Sequence, residues 1–336
     1  MAVYGKVLGN ATSYSDSFVK EDSSIVAFSK ANTFAVTTAT KITLELANKT
    51  IVIDSGTNVE MPESATTGAD YTIWAHPTGN VQAILYTTTP PTANAKMIGG
   101  FHYAPGGNAT ANTGGDSTPQ INEYSFWDLK FRPLCRNPKG MALVADAFWS
   151  DIYLTGNNAV TLDCSSVYDT TIADANSSPI IPIQFGGNGA NTYGGYTWYE
   201  AQELAVSFGK RPPTQQEFMV LSYGTTEANS AGTDPVTTKL DAIHTSKWGI
   251  MQATGNMFVY TSERCGSNTA QAWHAVTEGR GSEYGEPYCV RAGGAWNSTT
   301  SSGSRCARGN TEAQTGLESG VAVNSSRFVS EHLQID

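Results

Sequence analysis

TWYEAQELAVSFGKRPPTQQEFMVL, residues 197–221, carries two helical signals back to back. Ala201, Leu204, Ala205 and Phe208 recur at i, i+3, i+4 and i+7, one face of a helix that Gly209 closes. After Pro212 and Pro213, Thr214 with Glu217 three residues on forms a capping box: the hydroxyl accepts a backbone N–H of the first turn and the carboxylate accepts the cap's own N–H. A second helix is predicted there, with Phe218 and Leu221 facing inward. Two adjacent helices followed by a Gly- and Trp-rich, strand-bearing tail predict an α+β unit.

Upstream the period changes from helical to two. Ile42, Leu44 and Leu46 lead through Ala47-Asn48-Lys49-Thr50 to Ile51 and Ile53, a hairpin pattern. Tyr71 and Ile73 then face Val81, Ile84 and Tyr86 across His76-Pro77-Thr78-Gly79-Asn80, whose Pro and Gly supply the angles of a reversal. Short strands without intervening helices predict an antiparallel β-sandwich. Residues 90–120, rich in Gly, Ala, Thr and Asn, read as connection. Aromatics return in residues 121–133, where Tyr124 to Phe131 reads as a buried linker between domains ahead of an inter-subunit contact.

Of 336 residues, 40% are hydrophobic and 15% charged, with 33 glycines: enough apolar surface for full cores and a bias toward strands and turns. A net charge of −10 without any Lys/Arg cluster excludes the electrostatic footprint of a nucleic-acid or anionic-membrane binder. No stretch approaches the roughly 18 apolar residues of a membrane span, and residues 1–18 lack the apolar core of a secretory signal. Membrane insertion is not expected. Cys135, Cys164, Cys265, Cys289 and Cys306 are odd in number, widely spaced and without a CxxC pair; folding in a reducing compartment is the simpler reading, with a Cys265–Cys289 bridge as the alternative.

No phosphate loop, GxSxG elbow, HExxH or EF-hand pattern appears. The five histidines (His76, His102, His244, His274, His332) never stand at i, i+4 and read as structural or exposed. Asp234, Asp241, Glu278, Glu283 and Glu286 could offer oxygens to calcium, but read as solvated surface. No catalytic residue, metal or cofactor is expected.

The segments "KRPPTQQEFMVL" (210–221), "KWGIMQATGNMF" (247–258), "GGAW" (293–296) and "SRCA" (304–307), in that order, resemble the C-type-lectin-like domain shared by formylglycine-generating enzymes and the variable proteins of diversity-generating retroelements. Residues 98–133, "GMALVADAFWSDIYL" (140–154), "TIADANSSP" (171–179), "YGTTEA" (223–228) and "EHLQID" (331–336) narrow the resemblance to the major tropism determinants, phage receptor-binding variable proteins. It runs nearly continuously from Ser17 to the C-terminus. The family's N-terminal β-prism, which helps form the trimer, has only residues 1–16 before the match as a counterpart. The implied organisation is a short segment 1–16, a β-sandwich with its connection over 17–135, and a C-type-lectin-like variable domain over 136–336.

The resemblance implies a homotrimer at the tips of phage tail fibres, made in the bacterial cytoplasm and carried in the virion. It would bind a host surface receptor, a protein, through residues diversified by adenine-directed codon changes on a fixed scaffold. "NSTTSSGS" (297–304) fits such a surface: small polar residues between rigid motifs. Matched residue by residue, the first variable set is Ala295, Asn297, Thr299 and Ser301, whose spacing of two puts them on one face if the segment is extended. The second set is Arg308, Asn310 and Thr311; the third is Val321, Val323, Asn324 and Phe328. Between Glu312 and Gly320 the chain is about four residues longer than the family pattern, so Leu317 and Ser319 are further candidates only. Gly293, Trp296 and Arg305 read as scaffold, with the indole N–H satisfied in the interior.

The same fold also houses an enzyme. Formylglycine-generating oxidases resemble copper–thiolate catalysts, with two cysteines between the Gly-Gly-x-aromatic and Arg-Cys-Ala motifs; here that stretch contains none, and no other residue type supplies the soft nucleophilic ligand. Cys306 matches the Arg-Cys-Ala position and reads as a small buried hydrophobe. A calcium-dependent sugar lectin is disfavoured because Glu286-Pro287 is followed by Tyr288 rather than Asn. A cellular retroelement variable protein binding another ligand is the remaining alternative.

Overall fold

The computed structural model describes residues 17–267, 272–276, 280–318 and 320–335. The segment 1–16, Glu278 and Ser319 lie outside the described residues. In the N-terminal half the period-two pattern becomes paired strands. Ile42–Leu46 and Lys49–Ile53 run antiparallel with Leu44 opposite Ile51, and Phe18–Lys20 joins the free edge of Ile42–Leu46. The reversal is tighter than four residues: Ala47 and Asn48 make it alone at φ 50° and 61°, the mirror-image turn that follows strand twist.

The opposing sheet orders Trp127–Asp128, Lys96–Ala104, Asp70–Ala75 and Val81–Leu85, with Gln120–Ile121 also against Lys96–Ala104. Val81 and Ala83 face the core and Ile84 does not. Residues 90–120 are more than connection, because they hold the nine-residue strand Lys96–Ala104. That strand lies between two neighbours and against the core, so nearly every position is buried and the alternation that marks a half-exposed strand is missing. One core from Phe18 to Phe126 fills this sandwich, with Tyr71 stacked on Phe101.

Phe131–Pro133 turns away and pairs with the last strand, Val329–Gln334, beside Phe148–Asp151 and Met141–Val144. Phe126, Trp127, Asp128 and Phe131 are buried within the single chain, Trp127–Asp128 as a strand of the sandwich and Phe131 in the next sheet. Trp127 and Phe131 share a cluster with Met141, Leu143 and Trp149 across the two halves. His102 Nε2 also lies 2.9 Å from the Tyr153 hydroxyl.

A second C-terminal sheet orders Ala307–Glu312, Glu286–Ala292 and Phe258–Ser267, with Asn324–Ser325 added in parallel. Both predicted helices are present as Trp198–Ser207 and Gln215–Leu221. The Thr214–Glu217 capping box is formed, and Gly209, at φ 70°, donates to Val206 O at 2.9 Å. Phe218 and Leu221 enter a core with Met251, Val259, Ala292 and Val329. Arg327 is buried at the sheet junction and donates to the carbonyls of Asp151 (2.8 Å), Ile152 (2.6 Å) and Met251 (2.6 Å). All five cysteines are free, so the Cys265–Cys289 bridge is corrected: Cys265 stands opposite Tyr288 and its thiol donates to Gly309 O at 2.6 Å.

Candidate functional site

The strand Glu286–Ala292 runs out at Gly293 and Gly294, which hold φ 94° and 79°. A Cβ on Gly293 would stand 2.7 Å from Phe218 Cζ, and one on Gly294 2.5 Å from Ser302 Cβ. Backbone angle and space both demand glycine there. The chain beyond is pinned from both ends: Gly293 N–H donates to Cys306 O (2.9 Å), Gly303 N–H to Gly293 O (3.1 Å) and Trp296 N–H to Asn256 O (2.8 Å). The Ser302 hydroxyl donates to Thr299 O (3.0 Å), and Ser304 N–H donates to Glu227 Oε2 (3.0 Å).

Between these anchors residues 295–301 form two successive turns, not the extended run expected. Ser298 N–H donates to Ala295 O (3.0 Å) while Ser298 Oγ accepts Ala295 N–H (2.9 Å), and Ser301 N–H donates to Ser298 O (2.8 Å). Thr299 sits at φ 50°. Asn297, Thr299 and Ser301 are exposed, and their side chains make no hydrogen bond among the described residues.

Of the eleven residues matched to the variable sets, six face solvent: Asn297, Thr299, Ser301, Arg308, Asn310 and Val321. Five are corrected to interior positions. Ala295 and Val323 pack with Phe258 beneath the turns. Thr311 is the inward residue of its strand, opposite Cys289. Asn324 belongs to the parallel strand of the sheet, accepts from Arg291 Nη1 and donates to Gly316 O at 3.1 Å. Phe328 is buried among Tyr196, Leu204 and Tyr260. Leu317 is exposed. Trp296 is half-buried with its indole N–H unpartnered among the described residues, and Arg305 is exposed rather than part of the scaffold. Asp241 is not solvated surface either: it lies 2.7 Å from His244 Nδ1 and accepts from Asn256.

Asn297, Ser301, Arg308 and Val321 come from three stretches of sequence and line one depression of about 490 Å³, together with Phe258 and Glu318. Cys306 also lines it, half-exposed rather than buried, with its thiol donating to Ser301 O at 3.2 Å. Phe258, Ser298, Cys306, Ala307 and Glu318 line the depression without having been sequence-based candidates. One signal for Glu318 was latent. Arg291 and Arg308 are direct partners on neighbouring strands, a like-charge pairing that costs stability unless an anion is shared.

Glu318 is that anion. It accepts from Arg291 Nη2 through one oxygen and from Arg308 Nη1 through the other. Burial pushes the Glu318 carboxyl up, but the two guanidinium hydrogen bonds outweigh it and hold the group below its ordinary value. Arg291 is 1% exposed, and its guanidinium carbon lies 4.0 Å from the centre of the Phe258 ring. Arg308 is half out in solvent, with Nε donating to Asn310 Oδ1 at 2.7 Å.

Fold and site together define a display protein: a hydrogen-bonded β framework that holds short polar side chains outward from turns around a shallow depression. The family model for the Mtd second domain matches residues 19–128. The tail fiber receptor-binding protein of Bordetella phage BPP-1 is 43% identical over 302 residues, 86% of this chain and 79% of that protein. The solved P3c variant of Major Tropism Determinant superposes with a TM-score of 0.90 at 41% identity, covering 95% of this chain and 86% of that one. The U1 variant does so at 0.89 with the same identity and coverage. The chain belongs to the major tropism determinant family, and its C-terminal half has the C-type-lectin-like fold. The family is one of receptor-binding fibre proteins, not an enzyme family.

Proposed function

We propose that the chain is the receptor-binding protein of a phage tail fibre, and that it grips a host surface protein through the depression lined by Asn297, Ser301, Arg308 and Val321. The observation that carries this reading is the division of labour in residues 293–304: the backbone is tied down by framework groups, while the exposed side chains of Asn297, Thr299 and Ser301 make no hydrogen bond among the described residues. A surface of that kind loses little conformational entropy on association, and repeated copies on a fibre convert modest contacts into avid ones. The chain acts as a homotrimer at the fibre tip of the virion after synthesis in the bacterial cytoplasm. Residues 17–135 form the sandwich with its connection, and 136–336 form the variable domain. Diversification falls on Asn297, Thr299, Ser301, Arg308, Asn310 and Val321.

The test is binding of the labelled full-length chain to intact cells of the host on which the phage grows. Combined Asn297→Ala, Ser301→Ala, Arg308→Ala and Val321→Ala substitutions should abolish binding while the melting temperature falls by no more than about 4–8 °C, since four exposed sites at up to about 0.5 kcal/mol each contribute about 2 kcal/mol at most. Undiminished binding by this variant would place the receptor contact elsewhere.

A further inference from the structure

The depression has a charge that its composition alone does not reveal. Three ionic groups meet at its edge: Arg291, Glu318 and Arg308. Each guanidinium is bound to one oxygen of the same carboxylate, so two positive charges share one negative charge and the trio carries a net +1. Arg291 cannot present that excess to a partner, being buried under Phe258 and committed to Asn324 and Glu318. Arg308 can. It lines the depression, 44% of its side chain is exposed, and Nη2 has no partner among the described residues. A local positive site is conspicuous on a chain of net charge −10.

We propose, resting on the function above, that the depression receives a carboxylate side chain, aspartate or glutamate, from the host surface protein, with Arg308 as its ligand and Glu318 as the positioning residue. With Nε and Nη1 engaged, Nη2 is the donor left for a charge-assisted hydrogen bond to a carboxylate oxygen. Glu318 fixes the guanidinium through Nη1 and Asn310 through Nε, so Nη2 is oriented before the partner arrives. Phe258, Ala307 and Val321 give the aliphatic stem of such a side chain apolar contact and exclude water around the new ion pair. A polyanionic glycan or lipid headgroup surface is the poorer match: it gains from many cations spread over a face, and here one net charge sits in a depression sized for a few side chains.

The experiment measures binding of the labelled full-length chain to intact host cells at rising sodium chloride, for the parent and three variants. Arg308→Gln should bind about 10-fold more weakly or worse and lose most of the salt dependence, because a charged contact at an interface sets both. Arg308→Lys should recover part of the binding and the salt dependence. Ser301→Trp, which fills the depression without touching charge, should also lose binding, as the function above requires. Protease-treated cells should no longer bind, and soluble poly-glutamate should compete where poly-lysine does not. If Ser301→Trp fails to bind while Arg308→Gln binds like the parent at every salt concentration, the carboxylate is refuted and the receptor function stands. If all variants bind like the parent, the carboxylate is refuted and the receptor contact lies outside the depression. If protease treatment leaves binding intact while Arg308→Gln abolishes it, an anionic glycan or lipid is the ligand and the protein carboxylate is wrong.

Discussion

Phe328 is the sharpest test of where the framework ends and the display surface begins. Family matching places it among variable positions, whereas its side chain is fully buried with Tyr196, Leu204 and Tyr260. Truncation to alanine removes most of a side chain that takes about 150–250 Å² out of water. At about 25 cal/mol per Å² that loss is worth roughly 4–6 kcal/mol. Alanine keeps some contact, and substitutions of this type cost about 3–5 kcal/mol. The walls are poorly placed to collapse: Leu204 is carried by a capped helix, and Tyr196 is tied to Ser326 through its hydroxyl. A value near 4 kcal/mol follows. At about 2–4 °C per kcal/mol for a unit of some 200 residues, the apparent melting temperature should fall by roughly 8–16 °C. Calorimetry on the full chain reads this directly, with Ser301→Ala as the control expected within about 2 °C. A Phe328→Ala protein that melts with the parent, or loses cell binding with its melting temperature unchanged, would refute the interior assignment and with it the division between fixed and displayed positions.

Two further outcomes follow from the geometry. Gly293→Ala places a methyl 2.7 Å from Phe218 Cζ at φ 94° and should cost about 2–4 kcal/mol, combining backbone strain with displacement of a core ring; a melting temperature within 2 °C of the parent would contradict it. Glu318→Gln leaves buried Arg291 short of its counter-charge and should cost about 1–3 kcal/mol, less than a fully buried pair because Glu318 is 31% exposed. Since the folded Glu318 carboxyl lies below its ordinary value of 4.5, its contribution is complete above that value and is lost as pH falls through the folded one. The stability gap between the parent and Glu318→Gln should therefore be full above about pH 5 and narrow progressively as pH falls below 4.5; a constant gap on acidification would show that the carboxylate charge plays no part.

Elements that announce themselves locally are legible in the amino-acid order alone. Thr214 and Glu217 cap a helix by their own side chains, and Ala47-Asn48 turns a hairpin within two residues, so neither depends on distant sequence. The strand Lys96–Ala104 is not legible, because burial on all sides erases alternation and its glycines, which elsewhere mark loops, are demanded by close neighbours: a Cβ on Gly99 would meet the Phe28 ring at 2.5 Å. At the site, exposure depends on turn geometry. A spacing of two predicts one face for Ala295, Asn297, Thr299 and Ser301, but consecutive turns send Ala295 into the core and the other three outward. Glu318 escapes notice in the sequence because its role appears only once strand pairing sets Arg291 opposite Arg308.

Ser301 and Ser302 show why composition could not separate display from framework. They are adjacent and chemically identical. Yet Ser302 is 5% exposed and bonds the carbonyls of Thr299 and Asn229, while Ser301 is exposed with an unengaged hydroxyl. Replacing Ser302 leaves interior acceptors without their donor, a cost of about 1–3 kcal/mol, whereas replacing Ser301 orphans nothing. The same accounting separates Asn297 from Asn324: the first makes no hydrogen bond among the described residues, and the second is the acceptor for a buried guanidinium. A position on this chain can change freely only where its side chain neither closes a buried hydrogen bond nor fills core volume. That condition is a property of the folded neighbourhood and not of the residue type, which is why a run of serine, threonine and asparagine holds the most replaceable side chains of the domain next to some of its least replaceable.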